Sequence, residues 1–232
     1  MPRMKADTGR AGIVLAGGPS TRFEDGDKAL AALAGRPLLL HAVEAVSPVV
    51  DDVVVSCRRD QRRSFESALE GADVSFATDP IDGLGPVGGL RTALRETDRL
   101  TAVVIGCDSP LVPPAFLGHL LDRLEGSTTA GVLVRTDGRT RRLPTAVNTR
   151  AAAAAASEAL DDGGTLHDVV ESLAPVVIPE HHVAAAVDTE RLVTVDTRAD
   201  LARVEETLGR RIASGSPGGS PSGADGVRSN GR

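Results

Sequence analysis

The sequence predicts an α/β fold in which one mostly parallel sheet is covered on both faces by helices. Three observations predict it. Short apolar runs rich in Val and Ile alternate with amphipathic helical segments along most of the chain. Several of those runs close on glycine or on an acidic residue, as buried strands do where they enter loops. The 232 residues, 41 % hydrophobic and 25 % charged, suffice for one domain with an ample core.

The elements follow in order. Residues 1–10 are polar and read as a flexible N-terminus. AGIVLAGG, 11–18, is a buried strand entering a glycine loop. PLLLHAVEAVSPVV places Leu39, Val43 and Val46 at helical spacing, and the helix stops near Pro48. DDVVVSC, 51–57, is a second buried strand. The segment 58–71 is an Arg-rich amphipathic helix stopped by Gly71. ADVSFATD, 72–79, is a third strand, and GPVGGLRTALRET opens a helix on glycines. Residues 100–106 form a central strand ending on polar residues, and the helix after it carries proline in its first turn. TAGVLVRTDG and RRLPTAVNT pair around a turn at Asp137-Gly138. RAAAAAASEALDDGG is a strong helix former ended by glycines. VDTERLVTVDT, 187–197, carries strand character, and RADLARVEETLGRR closes the domain as a helix. Residues 213–232 are Gly, Ser and Pro rich and read as a disordered tail, because they cannot bury enough apolar surface to offset their ordering entropy.

Composition excludes several classes. A net charge of −6 lacks the clustered basic surface that nucleic acid needs. No apolar run approaches the roughly 20 residues of a membrane span, and the N-terminus lacks a signal-peptide core, so the expectation is a cytoplasmic protein away from membranes. Cys57 and Cys107 form no CxxC pair and are expected as free buried thiols. The five histidines show no HExxH spacing and read as surface or packing residues. Trp and Tyr are absent, so no ligand base stacks on either. Of 26 basic residues only Lys5 and Lys28 are lysines, which marks position 28 as one that needs an ammonium.

Three segments carry chemistry. In LAGGPSTRFEDGDKAL, 15–30, Gly17 and Gly18 permit close backbone approach at the end of the first strand. Ser20, Thr21 and Arg22 add donors, successive N–H groups can cradle a triphosphate, and Lys28 can reach it as a mobile point charge. The segment is neither GxxxxGK[ST] nor GxGxxG, so P-loop hydrolase and NAD-dependent dehydrogenase lose support. In IGCDSPL, 105–111, Asp108 ends a central strand where it can ligate Mg²⁺; the plainer reading is a helix cap. In TDPIDGLGPVGGL, 78–90, Asp79 follows a strand and Gly85, Gly88 and Gly89 open a helix. The segment is either a capped turn or a wall of a nucleotide site touching base or ribose.

LAGGPSTRF…DKAL, TDPIDGLGPVGGL, CDSPLVPP and VDTRADL, in this order, resemble the molybdenum cofactor guanylyltransferase family over about residues 11–208. The resemblance implies a Rossmann-like three-layer nucleotidyltransferase fold of the glycosyltransferase-A-like kind. It implies GMP transfer from GTP to molybdopterin with release of pyrophosphate. It implies Gly17, Gly18 and Lys28 on the phosphates, Leu15 and Ala16 near the guanine, Asp79 near the nucleoside, and Asp108 on magnesium. Contacts with molybdoenzymes or cofactor-biosynthesis proteins follow as expectations. The late segment TVDTRADL departs from the family's N-x-N-T-P-E-D-L: Thr194 and Asp196 replace asparagines and Arg198 replaces proline. Asp196 is the second candidate metal ligand. Phe23 and Glu24 stand where Met-Gly is common, and Glu24, Asp25 and Asp27 make the loop acidic. Leu143 stands where the family's second-substrate segment often has a polar residue. Charge neutralisation by Arg22, Lys28 and Mg²⁺ on Asp108 would drive the transfer. Two alternatives stay open: a sister transferase using CTP or another phosphorylated acceptor, and a non-catalytic nucleotide-binding regulator.

Overall fold

The computed structural model describes residues 9–23, 26–79 and 83–214, with side chains described to residue 209. Glu24, Asp25, residues 80–82 and most of the expected tail lie outside the described residues. Strands β1 (Arg10–Leu15), β2 (Ala32–Leu33), β3 (Arg36–Pro37), β4 (Asp52–Cys57), β5 (Ser75–Thr78), β6 (Thr101–Gly106), β7 (Gly131–Thr136), β8 (Arg139–Asn148) and β9 (Val176–Ile178) follow one another along the chain. Helices α1 (Leu38–Val46), α2 (Arg62–Ala68), α3 (Gly85–Arg95), α4 (Pro114–Glu125), α5 (Thr149–Asp161), α6 (Leu166–Ser172), α7 (Glu180–Ala186) and α8 (Arg198–Ser214) lie between and after them.

The main sheet has the order β5-β4-β1-β6-β8-β7-β9. β5, β4, β1 and β6 are parallel, β8 runs antiparallel to β6 and β7, and β9 is parallel to β7. Strand alternation explains the continuous apolar runs. Val14, Val53, Val55, Val103 and Ile105 pack in the cluster that takes in α1 and α4. Ala11, Ile13, Val54, Ala102 and Val104 pack in the one that takes in α3 and α5. A strand buried on both faces has few positions left for polar residues. The result is the expected three-layer, mostly parallel α/β architecture.

From β1 the chain builds outward through β4 to β5, then returns to place β6 on the other side of β1. That reversal opens a crevice at the carboxyl ends of β1 and β6, the place where open α/β sheets receive ligands. A third cluster, Phe23, Ala31, Leu33, Leu38, Leu111, Val195, Leu201 and Val204, lies behind this edge. It joins the loop after β1, the loop after β6 and the start of α8.

Several boundaries differ from the sequence reading. Arg10 is not part of a flexible N-terminus: it opens β1 and pairs with Asp122 and Glu125 of α4. Ala213 and Ser214 belong to α8 rather than the tail. Residues 187–197 form no strand. The Asp188 side chain accepts from Glu190 N at 3.1 Å, and the backbone winds into a 3-10 turn over Thr189–Leu192. α2 begins at Arg62, so residues 58–61 form a turn instead of its first helical turn. The hairpin β2–β3 turns on Ala34 and Gly35, both at positive φ, as a type I′ turn requires. α6 carries a capping box between Thr165 and Asp168, a readable start signal in T-x-x-D.

Candidate active site

The loop after β1 begins inside the sheet. Ala16 N donates to Ser56 O at 2.9 Å and Cys107 N donates to Leu15 O at 3.1 Å, so β1 stays paired on both sides to its last residue. Beyond it the backbone is held by the turn after β4. The Arg58 guanidinium donates through Nη1 to the carbonyls of Gly17 (3.0 Å) and Gly18 (2.9 Å). Gln61, 4 % exposed, donates to Ala16 O and to the Asp27 carboxylate. A Cβ added at Gly18 would meet nothing within 4 Å. The protein's own packing therefore does not require glycine there, and the backbone of Gly18 is left open to approach from outside.

Ser20 adopts φ 51° and turns the loop back. Its carbonyl accepts from Phe23 N at 2.8 Å and its Oγ from Lys28 N at 3.0 Å. Asp27 caps the short 3-10 turn Lys28–Leu30 by accepting from Ala29 N at 3.0 Å. That turn aims Lys28 at the end of β6. Lys28 Nζ donates to Asp108 Oδ2 at 2.8 Å and to Asp196 Oδ1 at 3.1 Å. Arg22 Nη1 lies 3.6 Å from Asp196 Oδ2. Burial disfavours the Lys28 ammonium, but the charge of Asp108 and the hydrogen bonds to Asp108 and Asp196 outweigh it. Its pKa lies above the ordinary lysine value, and the side chain stays charged through the neutral range.

Asp196 reaches this point because its segment is fixed at both ends. Val195 N donates to Asp108 O at 2.8 Å. Asp200 accepts from Asp196 N, Thr197 N and Thr197 Oγ1 at 3.2, 2.9 and 2.8 Å, and Asp200 N donates back to Thr197 Oγ1 at 3.2 Å. This reciprocal cap starts α8 and sets the direction of the preceding residue. Arg198 lies over the Phe23 ring, 4.6 Å from its centroid. Phe23 is buried and Arg198 comes from the far end of the sequence, so the contact ties loop to helix.

Arg22, Lys28, Asp108 and Asp196 are thus brought together, beside Gly17 and Gly18. Asp79 stands apart, past the end of the edge strand β5. Its carboxylate accepts from Thr92 Oγ1 at 2.5 Å and lies 3.0 Å from where a Cβ on Gly88 would sit. Gly88 and Gly89 are packing glycines in the first instance: added Cβ atoms would meet Leu84 Cβ at 2.3 Å and Ser56 Oγ at 2.5 Å. Cys107 is buried beside Asp108, and burial above all pushes its thiol up, so it offers no thiolate nucleophile.

Against known proteins, the profile of the MobA-like NTP transferase domain matches residues 12–203. The chain belongs to this family. A probable molybdenum cofactor guanylyltransferase from Haloferax mediterranei is 41 % identical over 196 residues, covering 84 % of this chain and 92 % of that protein. One from Natronomonas pharaonis is 32 % identical over 200 residues, covering 86 % and 98 %. Among solved structures, molybdopterin-guanine dinucleotide biosynthesis protein A from Archaeoglobus fulgidus aligns with TM-score 0.73 at 26 % identity, covering 86 % of this chain and 99 % of that one. The fold class expected from strand–helix alternation and the family expected from the four motifs both hold, and the chain is a nucleotidyltransferase by family.

Sequence reasoning missed Arg58, Gln61 and Asp200. Arg58 and Gln61 were hidden in a run that reads as an amphipathic helix. The T-x-x-D spacing of Thr197 and Asp200 was a usable signal for the cap. Among the described residues, no helix is long and apolar enough to cross a membrane.

Proposed function

We propose that this protein transfers GMP from GTP to the terminal phosphate of molybdopterin, giving a guanine dinucleotide and pyrophosphate. The observation that carries the reading is the convergence of Lys28, Asp108 and Asp196 at the β1–β6 crevice, next to the glycine loop. The family and the relatives named above supply the substrates. Two hard-oxygen carboxylates that share one focus fit Mg²⁺, which takes one or two protein carboxylates and completes its shell with water and phosphate oxygens. Among the described residues no group of three or more His, Cys, Asp or Glu side chains competes as a metal cage. Asp108 and Asp196 would hold the ion, which when bound neutralises charge on the triphosphate.

The chain's own residues do the rest. Lys28 moves from its carboxylate partners toward the phosphate chain and offsets charge on the departing pyrophosphate. Arg22, three-quarters exposed on the loop, covers the same side. An oxygen of the acceptor's phosphate monoester forms the new bond to the α-phosphorus, and the bond from that phosphorus to the α–β bridging oxygen breaks. The monoester is already largely ionised near neutral pH, so no general base is required. Positioning and charge neutralisation carry the rate. The reading places the enzyme in the cytoplasm, where the free thiols of Cys57 and Cys107 stay reduced.

The bond assignment is tested with GTP labelled at its α-phosphate in the presence of molybdopterin and Mg²⁺. All label is expected in the acceptor product and none in pyrophosphate. Label recovered as free GDP or GMP, with the acceptor unlabelled, contradicts transfer.

A further inference from the structure

The geometry points to Arg58 as a positioning residue that sets the Gly17–Gly18 peptide so that the Gly18 N–H faces the triphosphate. The inference rests on the reading of this loop as the phosphate site. A trans peptide is planar, with its C=O and N–H on opposite sides. Arg58 Nη1 holds the Gly17 carbonyl at 3.0 Å, which turns the Gly18 N–H away from the turn after β4. Among the described residues that N–H has no partner within the protein. The same Nη1 holds the Gly18 carbonyl at 2.9 Å, and the next residue, Pro19, has no N–H to offer. Gly18 N–H is therefore the donor that this clamp presents, on a residue whose missing side chain leaves open space.

The clamp is itself held. Asp60 accepts from Arg58 Nε and Nη2, both at 3.1 Å, which fixes the plane of the guanidinium. Gln61 accepts from Arg58 N at 2.8 Å while its amide donates to Ala16 O and Asp27, so one turn fixes both ends of the loop. A peptide held in this orientation before the ligand arrives needs no reorganisation when phosphate charge enters. Without Arg58 the Gly17–Gly18 peptide can rotate, and its carbonyl then meets the phosphate instead.

The test measures binding of guanosine and of Mg·GTP by calorimetry to wild type and Arg58→Met, in about 0.1 M and about 1 M KCl, where the Debye length falls to about 3 Å. GTP affinity of Arg58→Met is expected to fall about tenfold, the scale of one hydrogen bond to a charged group. Guanosine affinity should stay unchanged. The defect should persist in high salt, because a peptide's orientation is not screened. A defect that vanishes in high salt, or falls equally on guanosine, overturns the proposal. Asp60→Ala gives the second reading, usable if Arg58→Met does not fold. Removing an anion strengthens GTP binding if Arg58 acts as a bare charge; loosening the clamp weakens it. Weaker GTP binding supports the proposal, and unchanged or tighter binding overturns it. If wild type binds GTP no better than guanosine, the phosphate-loop reading itself fails, whatever Arg58 does.

Discussion

Replacing Lys28 by Met removes the ammonium but keeps an unbranched stem of the same reach up to Cε, leaving Asp108 and Asp196 without their shared partner. Exposed ion pairs contribute under about 1 kcal/mol, and removing one partner of a fully buried pair costs about 3–5 kcal/mol. The Lys28 side chain is 16 % exposed, Asp108 25 % and Asp196 42 %, so solvent screens the second pair more than the first. A loss of about 2 kcal/mol follows, which a domain of ordinary stability tolerates while folded. The raised Lys28 pKa gives the pH dependence. Its contribution is fully present below the unfolded value of 10.5 and is lost only as pH rises through the folded value. The stability gap between wild type and variant is therefore flat across the neutral range. Turnover is expected to fall about 10²–10³-fold, as for removal of one preorganised charge-stabilising group. Urea unfolding measures the first quantity and pyrophosphate release the second. Near-wild-type turnover from folded Lys28→Met, or a fall matched by the unfolded fraction, refutes the assigned role.

Other outcomes follow from the same geometry. Gly18→Ala should leave unfolding unchanged and weaken GTP binding, whereas Gly89→Ala, whose Cβ would meet Ser56 Oγ at 2.5 Å, should lose about 1–3 kcal/mol in urea unfolding. Asp200→Ala should destabilise by about 1 kcal/mol at neutral pH through the lost cap. Because hydrogen bonds from Thr197 hold the Asp200 pKa below 3.8, the stabilisation is present above that value and is lost as pH falls through the lower folded one. The gap between wild type and Asp200→Ala, followed by thermal unfolding, should close in acid. A double-mutant cycle of Phe23→Leu with Arg198→Ala should show a coupling of about 0.5–1 kcal/mol, the size of a cation–π contact made by an exposed cation; additivity would mean that the ring and guanidinium do not interact.

The parallel core was legible because β1, β4 and β6 are buried on both faces and therefore read as short, mostly apolar runs. The short β9, α6 and α7 were not, since three to seven residues leave too little period to count. Lys28 was legible by contrast with an arginine-dominated chain, and Asp108 by its place at a strand end. Asp196 came from the resemblance, and what steers it is a capping pair and one backbone bond to Asp108. Arg58 was illegible for a different reason: helical periodicity over 58–71 conceals that its first residues turn back onto the glycine loop. The two departures noted at Phe23 and Arg198 looked independent in sequence, and in the fold they touch each other.

The most direct measurement incubates the protein with Mg²⁺, molybdopterin and GTP, CTP or ATP in separate reactions, and reads pyrophosphate and product mass. A guanine dinucleotide formed from GTP alone is the expected result. A cytosine product would keep the chemistry and overturn the base assignment, and folded protein that yields no dinucleotide from any of the three would contradict nucleotidyl transfer to this acceptor.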